Sequence, residues 1–185
     1  MVTLHKVVEF ILNSETVQAH VPAGMLALDY LRQHKNLTGT KSGCKEGDCG
    51  ACSVIIGELK KDSIEYRPMT SCLLPMGELH GKHLVTIEGL NMDHLSSVQN
   101  AMVDCGGTQC GYCTPGFVVC MTAGLMAPQI PLNEEGVLYA ISGNLCRCTG
   151  YQSIKDAGFQ AIQSLRDQLI NKAVSYTHLR AHETS

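Results

Sequence analysis

Eight of the ten cysteines fall into two groups, and no other feature of the chain restricts its fold as strongly. Cys44, Cys49 and Cys52 make C-x4-C-x2-C, with Cys72 following beyond a β-prone run. Cys110 and Cys113 make C-x2-C, and Cys146 and Cys148 make C-x-C. Such quartets mean either cross-links or metal ligands, and the redox compartment decides between them. The N-terminus, MVTLHKVVEFILNSETV, puts Glu9, Asn13 and Glu15 where an export signal needs an unbroken apolar core. The chain therefore reads as cytoplasmic with reduced thiols, and metal ligation is the expectation. The longest nearly apolar run, Gly116 to Ala127, is interrupted by Thr122. It is shorter than the roughly 20 residues of a bilayer span, so no membrane partner is expected. Fourteen basic against seventeen acidic residues leave a net charge of -3. That balance lacks the basic field of a nucleic-acid binder.

Around the cysteines the texture of the chain changes once. Apolar residues from Val2 to Leu12 and from Val17 to Val21 flank the turn-forming Asn13 to Glu15, which predicts a β-hairpin. Met25, Ala27, Leu28 and Leu31 then share one face of a short helix. A glycine-rich segment from Gly39 to Gly50 leads into Ser53 to Ile56, and Leu84 to Ile87 is a further strand candidate. Beyond Gly89 four helical patterns follow: Leu95 to Val103, Thr114 to Met126, Asn133 to Ile141 and Ser153 to Ile170. Thr114 reads as an N-cap with Pro115 at the first helical position. The expected division is a first domain over 1–89, a helical domain over 90–172 and a tail over 173–185. The tail, which includes His178 and His182, reads as frayed or as an extraneous appended segment.

The first quartet has the spacing of a plant-type 2Fe-2S ferredoxin, where one loop supplies three thiolates and a distant segment the fourth. Gly43, Gly47 and Gly50 give that loop a permissive backbone, so that amide hydrogens can face the sulfurs of an anionic core. Lys41 and Lys45 add positive charge, opposed by Glu46 and Asp48. A structural zinc site is the alternative, but zinc modules usually pair two short knuckles. A Rieske centre needs histidines in place of two thiolates, and neither His80 nor His83 lies in a Cys-x-His pattern.

Cys110 and Cys113 precede the Thr114 helix, and Cys146 and Cys148 precede the Ser153 helix. Helix N-termini lower thiol pKa values and favour anions, so the two ends together make a socket for a second 2Fe-2S cluster. On spacing alone zinc stays open for this half. Cys120, among Phe117, Val118, Val119 and Met121, reads as a small core residue, and Cys105 as a helix-end residue. His80 and His83 read as part of an exposed turn around Gly81. Arg147, between two ligands, is either a partner of the cluster or solvated.

Three segments carry a wider likeness: CKEGDCGAC at Cys44 to Cys52, QCGYCTPG at Gln109 to Gly116, and LCRCTGY at Leu145 to Tyr151. They resemble the iron-sulfur subunit or domain of the molybdenum hydroxylases, the family of xanthine dehydrogenase, aldehyde oxidase and aerobic carbon monoxide dehydrogenase. The likeness runs from about Thr3 to Ser164 and contains all eight thiols in order. It implies an α+β chain: an N-terminal β-grasp ferredoxin domain, then an all-α four-helix domain, each with one 2Fe-2S cluster. By the same resemblance Cys110, Cys113, Cys146 and Cys148 hold the cluster beside the molybdopterin of a partner subunit or domain, and Gln109 and Cys148 approach the pterin. Cys44, Cys49, Cys52 and Cys72 hold the cluster towards FAD on another subunit or domain.

The segment between Cys52 and Cys72, with a hairpin extension from Glu58 to Tyr66, is longer than in compact three-subunit members. It looks more like xanthine-dehydrogenase-type chains that continue into a flavin domain. Here either a separate subunit carries the flavin or the chain is an N-terminal part. The resemblance favours purine oxidation, with aldehydes, carbon monoxide and other N-heterocycles as alternatives. No residue is assigned as acid, base or nucleophile, so hydroxylation is expected on a partner. Two rival readings are a zinc-stabilised interaction module without redox activity and a freestanding ferredoxin.

Overall fold

The computed structural model describes residues 7–61, 63–91 and 94–182, with side chains described as far as Asp167. Residues 1–6, where the hairpin was expected to begin, and 183–185 lie outside the described residues.

Strand β1 (Val8–Leu12) pairs antiparallel with β2 (Glu15–Ala19) through a tight turn in which Asn13 takes a φ of 55°. Asparagine tolerates that left-handed conformation better than most residues. The alternation of the hairpin puts Val8, Phe10, Leu12, Val17 and Ala19 on one buried face. The next segment is helical as expected but not uniformly so. One turn, α1 (Ala27–Asp29), passes directly into a wider π turn over Tyr30–His34, closed by the Lys35 amide donating to the Tyr30 carbonyl at 3.2 Å. Ala27, Tyr30 and Leu31 cover the sheet, with the Tyr30 ring edge-on to Phe10 at 6.1 Å.

The two short expectations at Ser53 to Ile56 and Glu58 to Tyr66 are a single long hairpin, β3 (Ser53–Lys60) with β4 (Ser63–Thr70). β4 is mostly exposed and lacks the buried alternation that marks β1, which is why its bounds at Ser63 and Thr70 are not evident from pattern. β5 (His83–Val85) is shorter than read, because Ile87 belongs to a 3-10 turn over Ile87–Leu90. The sheet order is β2-β1-β5-β3-β4, with β1 and β5 parallel and the other pairs antiparallel. This is the mixed sheet of a β-grasp.

Ser53 to Ile56 is a continuous buried run because both faces of β3 are covered. Val54 and Ile56 point into the first core, while Ile55 meets Val119 and Ala123 of the helical half. The helical half comprises α2 (Ser97–Asp104), α3 (Thr114–Met126), α4 (Glu134–Ile141) and α5 (Gln152–His182). Ser96 and Gln99 close a capping box on α2, and the Asn133 side chain accepts from the Gly136 amide at the start of α4. Phe117, Ile154, Ala157 and Ala161 are fully or almost fully buried at the centre of this bundle.

Two expectations change. The N-cap of α3 is Cys113, not Thr114, which is already helical and shares a hydroxyl contact with Thr108 at 2.9 Å. The segment expected to fray from 173 continues α5 as far as His182. No glycine or proline occurs after Gly158, so nothing in the local sequence stops the helix. Among the described residues no helix is long and apolar enough to cross a membrane.

Candidate metal centres

The first thiol pocket is built by the loop that joins the π turn to β3. Arg32 donates to the Thr38 and Thr40 carbonyls at 3.0 and 2.9 Å and fixes the start of the loop. The Lys41 amide donates to the Ala51 carbonyl at 3.1 Å and closes it. In between, Lys45, Gly47 and Gly50 take φ values of 61°, 85° and 67°, which turn successive amides inwards. The Cys44 amide donates to the Cys49 sulfur at 3.4 Å and the Glu46 amide to the Cys44 sulfur at 3.3 Å. Gly43 is needed for a steric reason: a Cβ there would lie 2.6 Å from the Cys49 sulfur. Cys72, in the 3-10 turn Ser71–Leu73, arrives from the far end of the β3-β4 hairpin. Ser71 ties it in by donating to the Cys52 carbonyl from both its hydroxyl, at 2.7 Å, and its amide, at 3.2 Å.

The four thiols group two by two. Cys44 contacts Cys49. Cys52 and Cys72 share a thiol contact and are buried against Leu28. The amides of Glu46 and Cys49, with the Cys49 thiol, lower the Cys44 thiol to about 7. Burial, then the neighbouring Cys52 thiol, pushes Cys72 up to about 11.

The second pocket is assembled from the approach to α3 and the loop before α5. Gly111, with a φ of 79°, turns the chain between Cys110 and Cys113. Cys146 is held by its amide donating to the Tyr151 hydroxyl at 2.9 Å and by a contact of its sulfur with the Thr149 hydroxyl at 3.2 Å. Cys113 and Cys146 form a half-buried pair, and Cys110 and Cys148 an exposed pair. The expected depression of thiol pKa by helix ends does not hold for Cys113. Burial, then the Cys146 thiol, pushes it up to about 12 although it caps α3. Burial opposes Cys146 too, but the Thr149 hydroxyl and amide and the Cys148 amide lower its pKa. Contact with the Cys110 thiol raises Cys148. Cys148 stands several residues before α5, so this pair belongs to a loop rather than a helix end.

Among the described residues no three Cys, His, Asp or Glu side chains converge as a single metal ion requires. A two-plus-two arrangement of thiols instead suits a binuclear core, with one pair for each iron. The remaining candidates separate cleanly. Gln109 and Arg147 are exposed beside the outer pair. Cys120 is 7% exposed in the core, and the Cys105 sulfur lies at the end of α2, 3.0 Å from the Gln160 side-chain oxygen. His80 is exposed beside the Gly81 turn, whereas His83 departs from the expectation. It is half-buried, sharing its ring nitrogens with the Tyr66 hydroxyl at 3.0 Å and the Asn13 carbonyl at 2.7 Å.

Sequence reasoning missed the residues that join the two pockets. The Leu145 amide donates to the Cys49 carbonyl at 3.0 Å, the Asn144 side-chain amide to the Gly50 carbonyl at 3.1 Å, and the Tyr112 hydroxyl to the Ser42 carbonyl at 2.6 Å. The only signal was adjacency: each lies one or two residues from a cysteine of a quartet.

A β-grasp sheet and a four-helix bundle, each carrying one four-thiol pocket, define a tandem iron-sulfur protein. Residues 10–76 match a family model described as a 2Fe-2S iron-sulfur cluster binding domain, and residues 86–158 one described as a [2Fe-2S] binding domain. Xanthine dehydrogenase of Blastobotrys adeninivorans is 42% identical over 147 residues, which are 77% of this chain and 10% of that protein. Aldehyde oxidase 1 of Cavia porcellus is 42% identical over 154 residues, 80% of this chain and 12% of that protein. A chain in the crystal structure of quinoline 2-oxidoreductase from Pseudomonas putida 86 superposes with a TM-score of 0.75 at 32% identity. The match covers 88% of this chain and 96% of that one. The chain belongs to the xanthine dehydrogenase and aldehyde oxidase family of molybdenum hydroxylases, as its iron-sulfur electron-transfer component. It spans about a tenth of the length of the curated relatives it matches. Nothing in these comparisons supports a non-redox zinc module.

Proposed function

We propose that the chain relays single electrons from a molybdopterin centre to FAD, both on partner subunits or domains. In this reading Cys110, Cys113, Cys146 and Cys148 hold the molybdenum-side cluster, and Cys44, Cys49, Cys52 and Cys72 the flavin-side cluster. A 2Fe-2S cluster, when bound, takes up and gives out one electron at a time, which lets a two-electron hydroxylation feed a stepwise acceptor chain.

The observation that carries the reading is the asymmetry of the second pocket. Its inner thiols, Cys113 and Cys146, are anchored in the helical core, while Cys110 and Cys148 are exposed beside Gln109. That open side is where a partner's cofactor has the shortest approach. Gln109 and Cys148 are the residues this chain presents to it. The first pocket buries Cys52 and Cys72 and turns its amides onto Cys44 and Cys49, so the protein insulates and tunes it. Purines are the proposed substrate class, with the reducing cytoplasm as the site of action.

The test is substrate-driven reduction in the assembled complex, followed anaerobically by paramagnetic resonance. With xanthine or hypoxanthine, Cys148→Ser is expected to alter the signal of the molybdenum-side cluster and slow its reduction by at least about tenfold. Unchanged signals and rates contradict that assignment. Faster reduction by an aldehyde, carbon monoxide or another N-heterocycle moves the substrate class while leaving the relay in place.

A further inference from the structure

The two ligand loops meet at one buried polar junction, and a single side chain organises it. Asn144 is 3% exposed, held at the end of α4 by its amide donating to the Ile141 carbonyl at 2.9 Å. Its side-chain nitrogen donates to the carbonyl of Gly50, the residue after Cys49. The same carbonyl accepts from the Ser53 hydroxyl at 2.7 Å. One residue further on, the Leu145 amide donates to the Cys49 carbonyl. Cys49 and Cys146, one from each quartet, are thus joined through covalent bonds with one hydrogen-bonded gap.

Packing alone does not account for an asparagine here. Its side-chain oxygen is buried with no hydrogen-bond partner among the described residues, an unfavourable arrangement that leucine, which branches at the same atom, would avoid. What leucine lacks is the donor to Gly50. That donor matters because Gly50, with a φ of 67°, is the flexible link between its own carbonyl and the adjoining Cys49 peptide, so holding the one restrains the other.

We propose that Asn144 is a positioning residue for electron exchange between the two clusters: its side-chain amide clamps the Gly50 carbonyl and so fixes the hydrogen bond from Leu145 to Cys49. The proposal rests on the relay reading and deepens it. The test uses the full chain carrying both clusters, in Asn144→Ala and Asn144→Leu variants, with Asn13→Gly as a control that loses hydrogen bonds to Thr86 far from the junction. Both Asn144 variants are expected to keep the resonance signature of each separate cluster. Their spin-spin splitting is expected to weaken and their exchange after one-electron injection to slow by about tenfold. The control is expected to lose stability and keep wild-type exchange.

Wild-type splitting and exchange in Asn144→Leu overturn the proposal, as does a control that slows to the same degree. Hydrogen exchange in the unaltered protein decides even if neither Asn144 variant folds: the proposal requires a protected Leu145 amide, and rapid exchange there overturns it. Absence of two reduced-cluster signals in the unaltered protein overturns the relay reading instead, so the two failures are distinguishable.

Discussion

Replacing Cys113 with serine is expected to remove half of the bound iron and one of two resonance signals, leaving the other intact. Cys113 is the inner thiol of the second pocket, packed with Cys146 against the core that contains Phe117 and Ile154. Burial pushes it up to about 12, so only a bound cation keeps it as a thiolate near neutral pH. Serine offers a harder oxygen with a still higher pKa. The first pocket shares none of its thiols with the second, so its iron stays. Cys72→Ser is expected to do the reverse, because Cys72 is the thiol that the β3-β4 hairpin returns to the first pocket. Cys120→Ser is the control: Cys120 is buried beside Ser53 and Asn144 and is expected to leave both signals. Iron assay and resonance on the three variants check this. Loss of both signals from Cys113→Ser alone contradicts two independent pockets.

A bulkier residue at Gly116 is expected to destabilise the junction between the two halves of the chain. Gly116 lies in the first turn of α3, where that helix rests on the loop of the first pocket. A Cβ there would collide with the Gly50 carbonyl and lie 3.2 Å from both the Ala51 Cα and the Asn144 side-chain nitrogen. Backbone on both sides leaves little room to yield, so Gly116→Val is expected to cost about 2 kcal/mol by overpacking. For a chain of this size that lowers the melting temperature by roughly 6 °C. Gly143→Ala makes the comparison, since among the described residues nothing lies within 4 Å of the added methyl group. Calorimetry reads both, and a Gly116→Val melting temperature equal to that of the unaltered protein contradicts the close approach.

What the sequence makes legible here is local chemistry. C-x4-C-x2-C and its glycines specify a loop that must wrap sulfur, and helical periodicity marks Thr114 to Met126 and the start of the Ser153 to Ile170 segment as helices. Contacts across the chain leave weaker traces. Ile55 reads like its neighbours Val54 and Ile56, yet it packs on α3 rather than inside its own domain, because a fully covered strand loses its alternation. Asn144 looks like a residue at a helix end until its side chain is seen to reach Gly50. β4 is legible only as part of a hairpin extension from Glu58 to Tyr66, with its bounds missed, because ladder hydrogen bonds, not burial, hold it. The π turn at Tyr30–His34 and the cap at Cys113 depend on hydrogen-bond choices that shift a boundary by one residue, which periodicity does not resolve.

The most direct measurement counts iron and acid-labile sulfide in natively assembled, anaerobically purified protein, with resonance of the reduced sample. Two 2Fe-2S domains require four irons and four sulfides in each chain and two distinguishable signals. Zinc in stoichiometric amount with almost no iron, or iron for one cluster only, contradicts the account.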